Sequence, residues 1–480
     1  MRRVLLRLAL LGIVAVIGGY AGLRTYTRFA PIHMEPPSII LIVVDTLRAD
    51  YLGCYGFDGE ISPRIDELAA ESVVFENCSS HAPWTTPSMA SMMTSLLPQA
   101  HGVAQSPEAP QDYHEWRRQR TSAVPDSAIT LAEVLRDRGY RTGAFVSNAF
   151  LSHDLGFSQG FDVFDDSANK NRRHEAPEVL EPAGRWLDSA LVSRHPFFLY
   201  IHLMDVHGPY DSPEGDFNAV RESPGLGEGQ NLSIKEFDRI QPYLRRPQWT
   251  RMRHGKKLRT WRGRYAAGVH AADGHLGQLL RRLRQEERWQ NTVVVLTADH
   301  GEALFDHGGW DHGFSLFKHQ LHVPLLIRYP GGKRGGTRVS DVVRLVDLMP
   351  TLIKMADAEV PPTATGSDLA PLTRLAAGVE PPRVVFASSI KNRPGRSSVT
   401  VGRYKLIADA DGGKTRLFDL ISDPGELLDI ASVRPDVVRD LKVRLLDELM
   451  TIAANAPEPE VTAELTDEEV ERLRELGYAH

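Results

Sequence analysis

Cysteine is almost missing from this sequence: its 480 residues contain two, Cys54 and Cys78. That excludes a disulfide-stapled scaffold, and the spacing leaves open whether the two pair or remain separate buried thiols. A surplus of one charge is missing as well. Against 62 Asp and Glu stand 56 Lys and Arg, and the formal charge of −6 offers no basic footprint for nucleic acid. Internal repeats are absent, and a single apolar run approaches the ~20 residues a membrane span needs. What remains is ordinary for a folded chain, 42% hydrophobic and 25% charged. The length suits one large domain, or a large domain with a smaller one.

The single long run extends from Leu8 to Leu23, preceded by Arg2, Arg3 and Arg7 and closed by Arg24 and Arg28. A basic start, an apolar stretch and the small residues Gly18, Gly19, Ala21 and Gly22 suit a cleaved signal or a retained anchor. No clear A-x-A cleavage site follows. The reading is a membrane anchor or signal segment with its linker over residues 1–34. The Arg balance favours an inside N-terminus, which places the body outside the cytoplasm, periplasmic or extracellular.

Ile39 to Val44 is a continuous apolar run bounded by Pro and Asp, the pattern of a strand buried on both faces. Similar runs recur at Ala144 to Ser147, Phe197 to Leu203, Val293 to Thr297 and Pro324 to Ile327. Helical patterns alternate with them, opening at Ser62-Pro63 and covering Ser127 to Arg138, Tyr265 to Leu283 and Asp347 to Met355. This alternation predicts an α/β fold: a mixed, mostly parallel sheet flanked by helices. A catalytic domain is expected over residues 35–375. Within it, the polar, Arg-rich stretch 211–262 reads as a lid or as a surface excursion. Weaker strand signals and a helix at Pro435 to Ala453 predict a smaller C-terminal α+β subdomain over 376–456. A linker and a capped terminal helix follow over 457–480.

In open α/β sheets ligands bind beyond the carboxyl ends of the strands. Asp45 ends the first run, and Asp299-His300 end the run through Ala298. A lone carboxylate there serves equally as a helix cap, whereas Asp and His supplied together suit a metal. Thr85 stands just before Pro87, which reads as the first residue of a helix, where free N–H groups favour an anion. A hydroxyl at that place, beside a divalent cation, can ionise and attack phosphorus or sulfur; taken alone, it is more readily a helix cap.

These segments resemble the sulfatase family of the alkaline phosphatase superfamily. The likeness runs from about Ser38 to Tyr478. It rests on Ile42-Val43-Val44-Asp45-Thr46-Leu47-Arg48-Ala49-Asp50, Thr85-Thr86-Pro87-Ser88, Gly139-Tyr140-Arg141-Thr142, and His202 to Tyr210. Thr297 to Glu302, Val323 to Ile327, Tyr404-Lys405-Leu406 and Leu417 to Leu420 complete it. The resemblance implies hydrolysis of sulfate or phosphate esters, with one divalent cation held by Asp45, Thr85, Asp299 and His300. Through it the ion is Ca²⁺; the ligand types also suit Mg²⁺ or Mn²⁺ and admit Zn²⁺. It implies that His207 contacts the ester oxygen or assists the leaving group. His312 stands where many sulfatases carry a Lys, and an imidazolium there can bind an equatorial oxygen. The implied partner is a sulfated or phosphorylated small molecule, glycan or lipid head group.

Four departures qualify the likeness. Sulfatases carry Cys or Ser at the nucleophile position, with Arg four residues on, for conversion to formylglycine; here Thr85 and Met89 stand there. Threonine cannot become that aldehyde, so the chemistry is expected to be independent of formylglycine. The second acid after Asp45 is Thr46, and the usual Lys-x-His after Gly-Tyr-x-Thr is replaced by Ser147-Asn148-Ala149. Relatives with a Thr nucleophile, such as nucleotide pyrophosphatases and phosphonoacetate hydrolases, act on phosphorus and imply a phospho-threonine intermediate. Asp205, His207 and His312 offer a second metal site of the phosphodiesterase kind. Two other readings stand beside hydrolysis: transfer of a phosphoglycerol- or phosphoethanolamine-type group to envelope glycans or lipids, and a catalytically weakened binding protein.

Overall fold

The computed structural model describes residues 36–103, 123–170, 176–227, 258–373, 383–389, 395–409 and 413–455. The predicted anchor, most of the predicted lid and the terminal helix lie outside these residues. Among the described residues no helix is long and apolar enough to cross a membrane. Both cysteines are free thiols, Cys78 buried and Cys54 partly so.

The centre of the fold is a nine-stranded sheet. Its strands are β1 (Ser38–Val44), β2 (Val73–Ser79), β3 (Arg141–Val146), β4 (Val163–Asp165), β5 (Phe197–Leu203) and β6 (Thr292–Thr297). After a two-stranded ribbon of β7 (Ala303–Leu304) and β8 (Trp310–Asp311), the sheet is completed by β9 (His322–Val323), β10 (Leu325–Arg328) and β11 (Arg338–Arg344). The order is β11-β2-β10-β6-β1-β5-β3-β4, with β9 on β2. Only β10 and β9 run against their neighbours, so the sheet is mixed and mostly parallel. β1, β5 and β6 are buried along their whole length, which is why their sequences are near-continuous apolar runs rather than alternating ones.

Register places the site. Val43 of β1 lies opposite His202 of β5 on one side and Thr297 of β6 on the other. Val146 of β3 also lies opposite His202. The carboxyl ends of four neighbouring strands are therefore level, and the residues just beyond them meet.

Helices cover the sheet: α1 (Pro63–Ala70), α2 (Thr85–Thr94), α3 (Leu131–Asp137), α4 (Ala176–Leu191), α5 (Leu258–Leu283) and α6 (Leu348–Met355). α3 is opened by a reciprocal capping box between Thr130 and Glu133, which satisfies N–H groups that otherwise have no partner. α5 begins seven residues before the predicted start, and residues 214–220 of the predicted irregular stretch form a helix packed on it. A second, antiparallel sheet of β12 (Val384–Ser389), β13 (Arg396–Val401), β14 (Tyr404–Asp409) and β15 (Thr415–Asp419) is backed by α7 (Pro435–Asn455). It touches the larger sheet's loops through specific bonds: Ser389 Oγ donates to Gly313 O at 2.7 Å, and Arg396 Nη1 donates to Phe314 O at 3.1 Å.

Candidate active site

Asp45 follows β1 directly and is fully buried. Its Oδ2 accepts from Asn148 Nδ2 at 2.6 Å and from Thr85 Oγ1 at 3.4 Å, and lies 3.1 Å from His202 Nε2. Its other oxygen, Oδ1, has no hydrogen-bond partner. Burial resists ionisation of this carboxyl, but the His202 hydrogen bond and the nearby His207 and His300 hold it well below the usual carboxylate range.

Asp299 shows the same division. Oδ1 accepts from His300 N at 2.8 Å and from Thr46 N at 3.2 Å, while Oδ2 is buried and unpartnered. Thr46 presents that N–H because its backbone sits at φ 58°, a left-handed conformation that costs energy for a β-branched residue. Two bonds keep it there: Thr46 Oγ1 donates to Asp45 O at 2.7 Å, and Tyr265 Oη donates to Thr46 O at 2.7 Å. Where the family's second acid is expected, Thr46 thus contributes backbone, not a ligand.

His300 Nδ1 donates to Gly301 O at 2.9 Å. In the neutral ring this leaves Nε2 as a bare lone pair, 3.3 Å from Asp299 Oδ2, 3.4 Å from Thr85 Oγ1 and 3.8 Å from Asp45 Oδ1. Gly301 itself is required by packing, since a Cβ there would stand 2.2 Å from His319 O. Thr85 is the first residue of α2, which begins two residues earlier than the sequence pattern indicated. Ser88 ties that helix to the loop after β6 by donating from Oγ to Asp299 O at 2.6 Å.

Two buried carboxylate oxygens without donors, an imidazole lone pair and a hydroxyl therefore converge with no proton among the three acceptors. Unpaired anionic oxygens in a buried site are costly unless a cation compensates them. The residues present fit a divalent cation, and hard oxygen donors with one imidazole match the expected ion types.

Beyond this cage three imidazoles stand in a row. The His312 ring centroid lies 4.6 Å from that of His300 and 5.0 Å from that of His207. His207 Nδ1 donates to Gly208 O at 2.7 Å, and burial keeps its pKa below the ordinary imidazole value. His312 Nδ1 is 3.1 Å from Asp311 Oδ1 and 3.3 Å from Glu302 Oε1. Burial, with Asp311 adding to it, pushes the Glu302 carboxyl up to about 8.

The six residues singled out from the sequence, Asp45, Thr85, His207, Asp299, His300 and His312, are thus brought to one place. The trio Asp205, His207 and His312 is not assembled as a second metal site: Asp205 Oδ1 accepts from Ala176 N at 3.1 Å, at the start of α4. Glu302 and Asp311 are the acids grouped with His312 instead. His307 lies away from the row, stacked on Phe317 at 3.8 Å. Two residues escaped the sequence reading. Asn148 was seen only as a missing Lys-x-His, and His202, within 4.8 Å of the Asp45 and Asp299 oxygens, was named only as the start of a motif and given no role.

Residues 37–358 match the Sulfatase family, and residues 305–454 match its N-sulphoglucosamine sulphohydrolase C-terminal family. The chain belongs to the sulfatase family. It is 25% identical over 466 residues to arylsulfatase K of Canis lupus familiaris, covering 85% of this chain and 82% of that protein. It is 25% identical over 431 residues to an ulvan-active sulfatase of Formosa agariphila, covering 81% and 76%. Among solved structures, the phosphonate monoester hydrolase of Agrobacterium radiobacter superposes with a TM-score of 0.68 at 19% identity, over 88% of this chain and 96% of that one. A 2-O GAG sulfatase gives 0.66 at 19% identity, over 93% and 98%. These likenesses carry the fold: an α/β sulfatase architecture with a C-terminal antiparallel sheet.

Proposed function

We propose that this sulfatase-family hydrolase cleaves phosphate, phosphonate or sulfate esters with Thr85 as its nucleophile, without formylglycine. The observation that carries the reading is the place of Thr85 Oγ1, 3.4 Å from both Asp45 Oδ2 and His300 Nε2, on a side chain that cannot be oxidised to the aldehyde. Asp45, Asp299, His300 and Thr85 hold the cation in this reading, with Ca²⁺ favoured through the family. When bound, the cation lowers the pKa of the threonine hydroxyl and offsets charge on the non-bridging oxygens.

Thr85 loses its proton to solvent as Oγ1 bonds to phosphorus or sulfur and the bond to the ester oxygen breaks. In this reading His312, held by Asp311 and Glu302, would bind an equatorial oxygen as an imidazolium, and His207, held by Gly208 O, would contact the ester oxygen or, in its protonated form, assist the leaving group. Water then cleaves the threonyl ester at the same centre. That second displacement suits phosphorus better than sulfur, because formylglycine enzymes release sulfate by breaking a different bond, which Thr lacks. The substrate is a phosphorylated or sulfated small molecule, glycan or lipid head group. Residues 1–34, with Arg on both sides of the apolar run, tether the body outside the cytoplasm in the same reading, and residues 35–375 and 376–456 act as catalytic domain and subdomain.

A panel of aryl phosphonate, phosphodiester, phosphate monoester and aryl sulfate, assayed with added Ca²⁺ or Mn²⁺, tests this. Turnover of phosphorus esters that disappears in Thr85→Ala is the expected result. Activity that survives Thr85→Ala, or aryl sulfate turnover at the rates of formylglycine enzymes, overturns the threonine assignment.

A further inference from the structure

Tyr200 and His202 are two residues apart on β5 and, with period two, project from the same face. Both are buried, His202 completely, in a strand whose other residues are Phe197, Phe198, Leu199, Ile201 and Leu203. A phenol and an imidazole in such a strand each need a polar partner. Tyr200 Oη lies 2.9 Å from His202 Nδ1, and His202 Nε2 lies 3.1 Å from Asp45 Oδ2. The chain of contacts ends on the carboxylate that the preceding section assigns to the cation.

Proton placement along this chain is decided by electrostatics. Nδ1 faces the Tyr200 hydroxyl, which can donate, whereas Nε2 faces a carboxylate oxygen at 3.1 Å, which only accepts, so the neutral ring carries its proton on Nε2 and donates it to Oδ2. In the neutral ring Nδ1 is then an acceptor, and the Tyr200 hydroxyl is its donor. His202 is therefore unlike His300, whose Nδ1 donates to a carbonyl and whose Nε2 is left bare among oxygens.

We infer that Tyr200 and His202 are a positioning pair: they lock the Asp45 carboxylate so that Oδ2 is saturated by donors and Oδ1 alone is offered to the cation. Asn148 is the second lock, donating to the same Oδ2 at 2.6 Å. Asp45 Oδ1 and Asp299 Oδ2 are the two buried oxygens at the site left without donors, which is the division such a lock produces. His202 stands near the ion without ligating it. This inference rests on the cation reading of the site.

Two measurements on full-length protein test it: calorimetric titration of the metal-free protein with Mn²⁺, and electron spin echo modulation from nitrogen bonded to Mn²⁺. His202→Gln weakens Mn²⁺ binding by about 10- to 100-fold, the range for partners that orient a ligand, and leaves the directly coordinated nitrogen signal in place. His300→Gln removes that signal. Tyr200→Phe, which keeps the ring and its packing, weakens binding in the same direction by a smaller factor and serves if His202→Gln does not fold. Unchanged Mn²⁺ affinity in folded His202→Gln and Tyr200→Phe overturns the pairing. Loss of a coordinated nitrogen in His202→Gln also overturns it, by making His202 a ligand. A wild-type protein that binds no Mn²⁺ removes the cation reading together with this one, and the wild-type titration distinguishes that failure from the other two.

Discussion

Arg48 Nη1 donates to Asp306 Oδ2 at 2.6 Å and to Glu302 O at 3.0 Å, so a guanidinium just past β1 holds the segment that leads from His300 to His312. The Arg48 side chain is 7% exposed and that of Asp306 25%. Asp50 completes the bracket from the other side, at 2.7 Å from Nη2. Breaking a buried ion pair leaves a charge without compensation. Arg48→Ala is expected to lower unfolding free energy by roughly 3 kcal/mol, and Asp306→Asn by less because its partner keeps Asp50. Denaturant melts of the two variants check the order.

Removal of the proposed nucleophile has a different signature. Thr85→Ala should cut kcat by at least about 10³-fold with the fold intact, and Thr85→Ser should retain a measurable share, since the serine hydroxyl sits at the same place. Steady-state kinetics on the best phosphorus ester gives the comparison. An alanine variant within tenfold of wild type would contradict the assignment.

Cation binding should be visible without any substrate. If Asp45 Oδ1 and Asp299 Oδ2 are cation ligands, saturating Ca²⁺ or Mn²⁺ at 100 times Kd stabilises the protein by about 2.7 kcal/mol, and chelator reverses it. Asp299→Asn should lose most of that increment while melting near wild type in chelator. Differential scanning fluorimetry with and without metal reads both. Identical melting curves for wild type in the two conditions would count against the site.

Acid should weaken the protein through two buried histidines that are not among the candidate site residues. His81 donates from Nδ1 to Phe386 O at 2.5 Å, and His101 accepts from Val103 N at 3.0 Å. Burial, joined by Arg344, lowers His81 from 6.5 to about 4, and burial lowers His101 from 6.5 to about 3. The folded state keeps both rings neutral while the unfolded chain takes up protons near 6.5. Their contribution is complete above that value and is lost as pH falls toward 4 and 3. At pH 5 the loss is about 2 kcal/mol for each ring. Urea denaturation between pH 7.5 and 5 should show it, with a shallower slope in His101→Gln.

The strands and the cage were legible because two independent signals coincided. β1 and β6 are largely apolar runs; Asp45 follows β1 at once, and Asp299 follows β6 after Ala298. Thr85 was legible from its motif, though Pro87 pulled the expected helix start two residues late; the helix includes the threonine because Ser88 N already bonds Trp84 O at 3.4 Å. His202 was read only as the first residue of the His202–Tyr210 likeness, and no role for it was legible there. Its signal is the pair Tyr200 and His202 inside a strand with no other polar side chain, which only register turns into a contact with Asp45. Asn148 illustrates the converse: a substitution read as loss supplies the 2.6 Å bond to Asp45 Oδ2. The irregular stretch after Tyr210 holds a helix at 214–220 because its Phe217 ring packs under Arg264 of α5 at 4.0 Å, a tertiary contact that local polarity conceals.

The bonds from Ser389 to Gly313 and from Arg396 to Phe314 have a consequence for how such enzymes diversify. The loop bearing His312 is braced by strands that come much later in the chain and carry none of the candidate site residues. A chimera that joins this chain's first sheet to the C-terminal sheet of a relative would inherit its ligands from one parent and the stance of His312 from the other. Selectivity would then move with a region that carries none of the candidate site residues, and screens confined to those residues would miss it.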